Sequence, residues 1–449
     1  MGSIKEFTEA DKTEGYGHKL ISELSKLNEK LNAFNNISAS LSDGMPFSVK
    51  DNLCVKGVET TASSKILKGY IPAFNATAVQ RMLDNGFSFL GKTNMDEFGF
   101  GSFGINSEKP ARNPFDERYV AGGSSSGAAV ATSVLKYHVA IAESTGGSIS
   151  TPAAFCGVVG FTPTYGAISR YGLIDYANSL DKVGIMARHA ADIKYVFGKV
   201  KGADADDTTS MDGTNAKENK KAVVLIDQLT KGIDNSVESN FMKLADKVEG
   251  MGYKVIHKSI PFIDKAIPAY YTIAMAEAST NLARYTGLKY GYKNEDFTQH
   301  YNQFFTEARK QFGQEAKRRI VLGTFVRSAS VRDKYYTKAL KVRGLLLKEL
   351  DKALKEGFIL SPVMPITVPK FEDVKKLTPL QVYKMDIMTI PPNLCGLPHV
   401  SFPYTYHKGM PLAAQLVARQ WNDNAILDFV EDWEKEFSYK FKYNIGEIK

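Results

Sequence analysis

The sequence predicts an α/β architecture with a mostly buried sheet. Short apolar runs of strand length alternate with amphipathic helical stretches along most of the chain. Hydrophobic residues make up 43% and charged residues 24%, a balance that excludes disordered, collagen-like and coiled-coil classes. With 449 residues there is room for about three domains or one unusually large α/β unit. A chain of this length buries most of its apolar surface without staples.

The elements follow in order. Leu20, Ile21, Leu24, Leu27 and Leu31 recur at helical spacing and predict an amphipathic helix over 17–34. The apolar run at 45–49 predicts a strand that stops at Lys50, Asp51 and Asn52. A helix over 77–83 and a strand over 87–90 come next. Residues 99–127 are dominated by Gly, Ser, Asn and Pro, and irregular stretches of that length are functional or disordered. A small-residue helix over 128–135 leads to an apolar strand at 137–142 and a Gly/Ser cluster at 144–150. The polar segment 202–220 reads as a linker or surface loop. Beyond it, strands at 222–226, 255–260, 358–360 and 412–417 are interleaved with helices at 234–251, 266–286, 329–356 and 424–437.

The formal charge of +8 favours polyanionic partners, RNA among them. The lysines are scattered, however, and the clusters at 220–221, 317–319 and 375–376 read as solvated surface. Cys54, Cys156 and Cys395 are few, odd in number and far apart, so neither a disulfide framework nor a zinc knuckle is expected. The early acidic residues Glu6, Glu9, Asp11 and Glu14 argue against an uncleaved transit or signal peptide. No run approaches the roughly 18 apolar residues of a membrane span.

Two Gly/Ser clusters are the first candidates for chemistry: GGSSSG at 122–127 and TGGSIS at 145–150. Glycines ahead of a helix let backbone N–H groups converge on a phosphate or a developing oxyanion. The plainer alternative is a pair of flexible surface turns. No lysine follows a glycine in the Walker frame, which argues against a P-loop. Ser125 fits the G-x-S-x-G elbow, but none of the seven histidines shows the signature of its base. Cys156 is apolar on both sides and reads as buried and inert. Lys50 ends a strand; stripped of water, an amine there favours its neutral form and accepts a proton from a serine. An exposed, salt-bridged lysine is the alternative, and spacing alone leaves both open.

Three segments together resemble the amidase signature family: MPFSVKDN at 45–52, the cluster at 122–127, and GGSI at 146–149 followed by PAAFCG at 152–157. The separation of 24 residues between Ser124 and Ser148 fits the family's two catalytic serines. Within the family, SRYGL at 169–173 with SLD at 179–181, AEASTNLAR at 276–284, KRRIVLGT at 317–324 and TIPPNLCGLP at 389–398 are similar to the A subunits of glutamyl-tRNA(Gln) amidotransferases.

The resemblance implies a single large α/β domain over 1–449, with a mixed central sheet surrounded by helices. Its signature core spans about 45–200, the polar loop about 202–220 and a helical substrate-pocket segment about 262–350. It also implies a glutaminase. Ser148 matches the nucleophile, Ser124 the bridging serine after a cis peptide bond, and Lys50 the general base. The backbone N–H groups of Thr145, Gly146, Gly147 and Ser148 match the oxyanion hole. Arg319 matches the partner of the glutamine α-carboxylate, Asp386 that of the α-ammonium, and Tyr270, with Tyr271 beside it, a pocket tyrosine. Without the match, Arg319 reads as part of a surface basic cluster. No metal or cofactor is implied in this chain. ATP and magnesium are expected on a partner B subunit, which would activate and amidate Glu-tRNA(Gln) with the ammonia released here. A small third subunit completes the implied heterotrimer.

Three departures stand out. Ser144 and Ser150 replace the family's usual Asp and Arg, and losing both together leaves no orphan charge. Hydroxyl hydrogen bonds are then expected to hold the nucleophile loop. The link between the first helix and the strand at 45 is shorter than in bacterial relatives, which implies an organellar, mitochondrial complex. Two other functions compete. A stand-alone amidase for a neutral or hydrophobic amide predicts a pocket without charged anchors, and a non-catalytic scaffold subunit would draw on Ser144 and Ser150. The glutaminase predicts Arg319 and Asp386 in the same cleft as Ser148.

Overall fold

The computed structural model describes residues 4, 6–7, 16–213, 221–293, 295, 298 and 300–437. Glu9, Asp11 and Glu14, and residues 214–220 of the polar segment, lie outside the described residues. A single sheet organises the chain. Its strands are β1 (Phe34–Ile37), β2 (Pro46–Lys50), β3 (Ser88–Thr93), β4 (Val139–Ser144), β5 (Val159–Thr162), β6 (Lys182–Ala187), β7 (Ala222–Ile226), β8 (Lys254–Lys258), β9 (Phe358–Pro362), β10 (His399–His407) and β11 (Met410–Val417). They lie in the order β1-β3-β2-β4-β6-β5-β10-β11-β9-β7-β8. β2 runs parallel to β3 and β4, and β7 to β8 and β9, while the other pairings are antiparallel. The sheet is therefore mixed, as expected. Every residue of β2, β4, β7 and β11 is buried, which is why these strands are mostly apolar without alternation, interrupted only by Ser48, Lys50, Glu143, Ser144 and Gln415. Helices pack on both faces, and among the described residues none is long and apolar enough to cross a membrane.

Most predicted elements form within a few residues, and the differences have physical causes. The first helix is Tyr16–Leu31 and stops before residue 34. Asn32 takes a positive φ of 50°. The side chain of Asn28 then grips Phe34, accepting from its N–H at 2.7 Å and donating to its carbonyl at 3.0 Å, and so starts β1. The predicted helix 329–356 is Lys338–Leu354, preceded by a π-helical turn at Asp333–Thr337.

The helix Gln314–Arg327 escapes the periodicity argument because its pattern is inverted. It buries Ala316, Arg319 and Gly323 and leaves Val321, Leu322 and Phe325 exposed. It crosses the apolar helix Ala266–Asn281 closely: a Cβ on Gly323 would fall 1.9 Å from the carbonyl oxygen of Met275. That contact sets the helix that presents Arg319.

Candidate active site

Three elements converge at the carboxyl ends of two parallel strands, where open α/β sheets characteristically bind ligands. β2 and β4 pair through Val49 and Ile141, which sets Lys50, the last residue of β2, one residue short of Glu143 on β4 and within reach of its carbonyl and carboxylate. The irregular stretch 99–127 folds across these ends and is largely buried. Asp96 anchors it, accepting from the backbone N–H of Asn106 at 2.6 Å and of Gly104 at 3.1 Å. Burial pushes the Asp96 carboxyl up to about 7 despite those two bonds. Gly123 has to be glycine, since a Cβ there would meet Asp96 Oδ2 at 2.0 Å. The Gly123–Ser124 peptide is cis, as the resemblance implied.

Lys50 is fully buried and also ion-paired, combining features of both readings left open by the sequence. Its Nζ lies 2.8 Å from Ser124 Oγ and donates to the Glu143 carbonyl at 2.9 Å and to Glu143 Oε2 at 2.8 Å. Ser148 is brought next to this pair by the backbone, its carbonyl accepting from Ser125 N–H at 3.1 Å. The loop that carries Ser148 holds Gly146 against Tyr270 and Gly147 against Thr389.

Thr145 is the loop's side-chain anchor. Its hydroxyl lies 2.7 Å from Glu143 Oε1 and 2.9 Å from Asp181 Oδ1. The hydroxyl anchors expected at Ser144 and Ser150 are weak. Ser144 Oγ reaches Asn393 Oδ1 only at 3.5 Å, and Ser150 Oγ is buried without a hydrogen-bond partner.

Gly146, Gly147 and Ser148 form one wall of a polar cavity, with Tyr176, Tyr270, Tyr271, Arg319 and Asp386 on the others. Arg319 and Asp386 thus face the same cleft as Ser148. Arg319 is buried, while its neighbour Arg318 lies outside. It donates to Glu315 Oε1 at 2.9 Å and to the Tyr176 hydroxyl. Phe100 and Tyr176 lie against its guanidinium at 4.9 and 5.3 Å. Asp386 accepts from the Tyr271 hydroxyl at 2.6 Å and from Ser102 Oγ at 2.7 Å. Burial lifts its carboxyl to about 6, against the pull of those two bonds and of Arg319. The cavity is tight, and glycines, hydroxyls, an arginine and a carboxylate make up its lining. A small zwitterion fits this charge pattern better than a bulky apolar amide does.

Sequence reasoning missed Glu143, Asp181, Tyr176 and Ser102, and it put Tyr270 ahead of Tyr271. Both tyrosines line the cavity, but Tyr271 is the one that holds Asp386. Glu143 had a signal, a carboxylate closing an apolar strand two residues before the glycines' threonine. The others meet the site only through the fold.

A family model described as Amidase matches residues 17–427. The chain belongs to the amidase family. Among similar proteins of this family is the A subunit of glutamyl-tRNA(Gln) amidotransferase from Caldanaerobacter subterraneus subsp. tengcongensis, 39% identical over 89% of this chain and 84% of that protein. The protein of the same name from Trichodesmium erythraeum is 38% identical over 94% of this chain and 90% of its own length. The crystal structure of the A subunit of glutamyl-tRNA(Gln) amidotransferase from Thermotoga maritima superposes with a TM-score of 0.84 at 32% identity, covering 99% of this chain and 97% of that one. A 6-aminohexanoate cyclic dimer hydrolase shares the amidase fold with a TM-score of 0.83 at 20% identity, covering 98% of this chain and 97% of that one.

Proposed function

We propose that this chain is the glutaminase subunit of a glutamyl-tRNA(Gln) amidotransferase. One observation carries the reading: a buried arginine and a buried carboxylate stand across a small cavity from Ser148. That pattern suits an α-amino acid whose side-chain amide reaches the serine. It disfavours the stand-alone amidase, which called for a pocket without charged anchors. The relatives' shared name supports the same assignment.

In this reading the Arg319 guanidinium pairs with the α-carboxylate, and Asp386, as a carboxylate, takes the α-ammonium. The Ser148 hydroxyl attacks the side-chain amide carbon. Its proton passes to Ser124, and the proton of Ser124 passes to Lys50. Backbone N–H groups of Thr145, Gly146 and Gly147 hold the developing oxyanion. The amide C–N bond breaks, and the proton held on Lys50 returns through Ser124 to the leaving nitrogen, which departs as ammonia. Water then releases glutamate from the acyl-serine by the same relay.

The ammonia serves a B subunit that binds ATP and magnesium and amidates Glu-tRNA(Gln), with a small third subunit completing the heterotrimer. The short link before residue 46 is the ground for placing that complex in the mitochondrial matrix, which fractionation of the source cells checks.

The decisive test is ammonia release from glutamine by the chain copurified with its native partners, beside Ser148→Ala. Activity in the first and its loss in the second is expected. An intact complex without activity, with or without Glu-tRNA and ATP, would favour the scaffold reading.

A further inference from the structure

We propose that Glu143 is a positioning residue for the reaction, tying the base Lys50 to the loop that carries Ser148. The proposal rests on the glutaminase reading, which itself makes no use of Glu143. Both oxygens of the carboxylate are occupied. Oε2 accepts from Lys50 Nζ at 2.8 Å and from Asn52 Nδ2 at 3.1 Å, while Oε1 accepts from the Thr145 hydroxyl at 2.7 Å. One side chain therefore joins the end of β2 to the first residue of the nucleophile loop.

Donor counting shows what the arrangement does for Lys50. A neutral amine has two N–H donors and one lone pair. Two of the three groups around Nζ, the carbonyl and the carboxylate of Glu143, are acceptors only. If both N–H groups go there, the lone pair faces the third group, Ser124 Oγ at 2.8 Å. That is the orientation needed to receive the serine proton. Once Lys50 is an ammonium, its third hydrogen faces the same oxygen. Lys50 thus serves both halves of the proton transfer without turning.

The same counting extends to Asp181. A single hydroxyl hydrogen on Thr145 cannot serve two carboxylates. With Asp181 protonated the chain is complete: Asp181 donates to Thr145, Thr145 to Glu143, and Glu143 accepts from Lys50. Burial and then the Glu143 charge both push the Asp181 carboxyl upward, in keeping with that proton. The side-chain anchors offered by the two neighbouring serines are poor, since Ser150 Oγ is unpartnered and Ser144 reaches only a 3.5 Å contact. A carboxylate present only to neutralise Lys50 would have no reason to hold Thr145 as well.

The test compares wild type, Glu143→Gln and Glu143→Ala, each copurified with its partner subunits. Two readouts are taken: kcat and KM for glutamine, and the rate at which phenylmethylsulfonyl fluoride labels Ser148, followed by intact mass. Labelling forms the Ser148 O–S bond, expels fluoride and sends the serine proton along the same relay, so it needs no glutamine. The alanine variant is expected to lose about 10²-fold in both kcat and labelling rate, the cost of a misplaced reacting group, with KM within about threefold of wild type. Glutamine at 143 keeps an acceptor for Lys50 and a donor for the Thr145 oxygen. It is expected to recover at least about tenfold over alanine. An alanine variant within threefold of wild type in labelling overturns the proposal. So does a glutamine variant no better than alanine, or a KM that rises with the loss of kcat. If wild type labels Ser148 but hydrolyses no glutamine, the glutaminase reading fails while labelling still judges Glu143. A wild-type chain that does neither overturns both.

Discussion

Asp386 reaches about 6 because burial disfavours its charge, with Tyr271, Ser102 and Arg319 pulling the other way. In the proposed clamp only the carboxylate form pairs with the glutamine ammonium, so the sign of the pH dependence follows. Above about 6 the group is charged and binding is complete; as pH falls through 6 it takes up a proton and the clamp weakens. KM for glutamine is expected to rise by up to about tenfold per pH unit below that point, and Asp386→Asn to raise KM at every pH and remove the dependence. A wild-type KM flat between pH 5 and pH 7 would take Asp386 out of the clamp. Arg319 shows why residue identity alone misleads. In KRRIVLGT it looks like one basic residue among three on a surface, and only the Gly323 crossing explains why it turns inward.

At the scale of the element, the two glycines of the loop that carries Ser148 admit neighbours that no side chain would. A Cβ at Gly147 would lie 2.4 Å from Thr389 Oγ1 and 3.0 Å from Thr389 Cβ. Gly147→Ala must therefore move the loop or Thr389, and with it the N–H groups assigned to the oxyanion. The loss of one such donor costs about 10²–10³ in kcat, which sets the expected size of the effect. Thr389→Ala removes the nearer of the two contacts, so the double variant is expected to regain part of the lost kcat. A Gly147→Ala enzyme at wild-type rate would show that the loop does not hold the oxyanion.

This loop was legible in the sequence because its chemistry is local: glycines, threonine and serine stand within four positions. The strands around it were legible for a similar reason, since β2 and β4 are short apolar runs with polar ends. The helix Gln314–Arg327 was not, because tertiary packing inverts its apolar face.

Across the whole molecule, the site is assembled from two lengths of chain that meet in one sheet. Lys50, Ser124 and Ser148 precede residue 200, and Tyr271, Arg319 and Asp386 follow residue 220. The sheet order passes from one length to the other at β5–β10, paired through Thr162–His399, Phe161–Val400 and Gly160–Ser401. The seam is well tied. Asp423 accepts from Thr164 N–H at 2.8 Å and from its hydroxyl at 2.7 Å, and Lys182 Nζ donates to the Leu397 carbonyl at 2.9 Å. A single apolar cluster holds Phe47 and Phe161 together with Phe402 and Trp433. Contacts such as Ser102–Asp386 span far more sequence than any motif, so the clamp's supports were invisible until the two lengths were docked. Residues 211–213 and Lys221, on either side of the polar segment, are exposed. Cutting the backbone there removes covalent continuity but keeps the contacts of the seam named above. Pieces 1–213 and 221–449, expressed together with the partner subunits, are expected to copurify and to hydrolyse glutamine. Either piece alone exposes its half of the shared core and lacks half of the site, so it is expected to be insoluble and inactive. If 1–213 alone were soluble and released ammonia from glutamine, Arg319 and Asp386 would not form the substrate clamp, and the seam would not build the site.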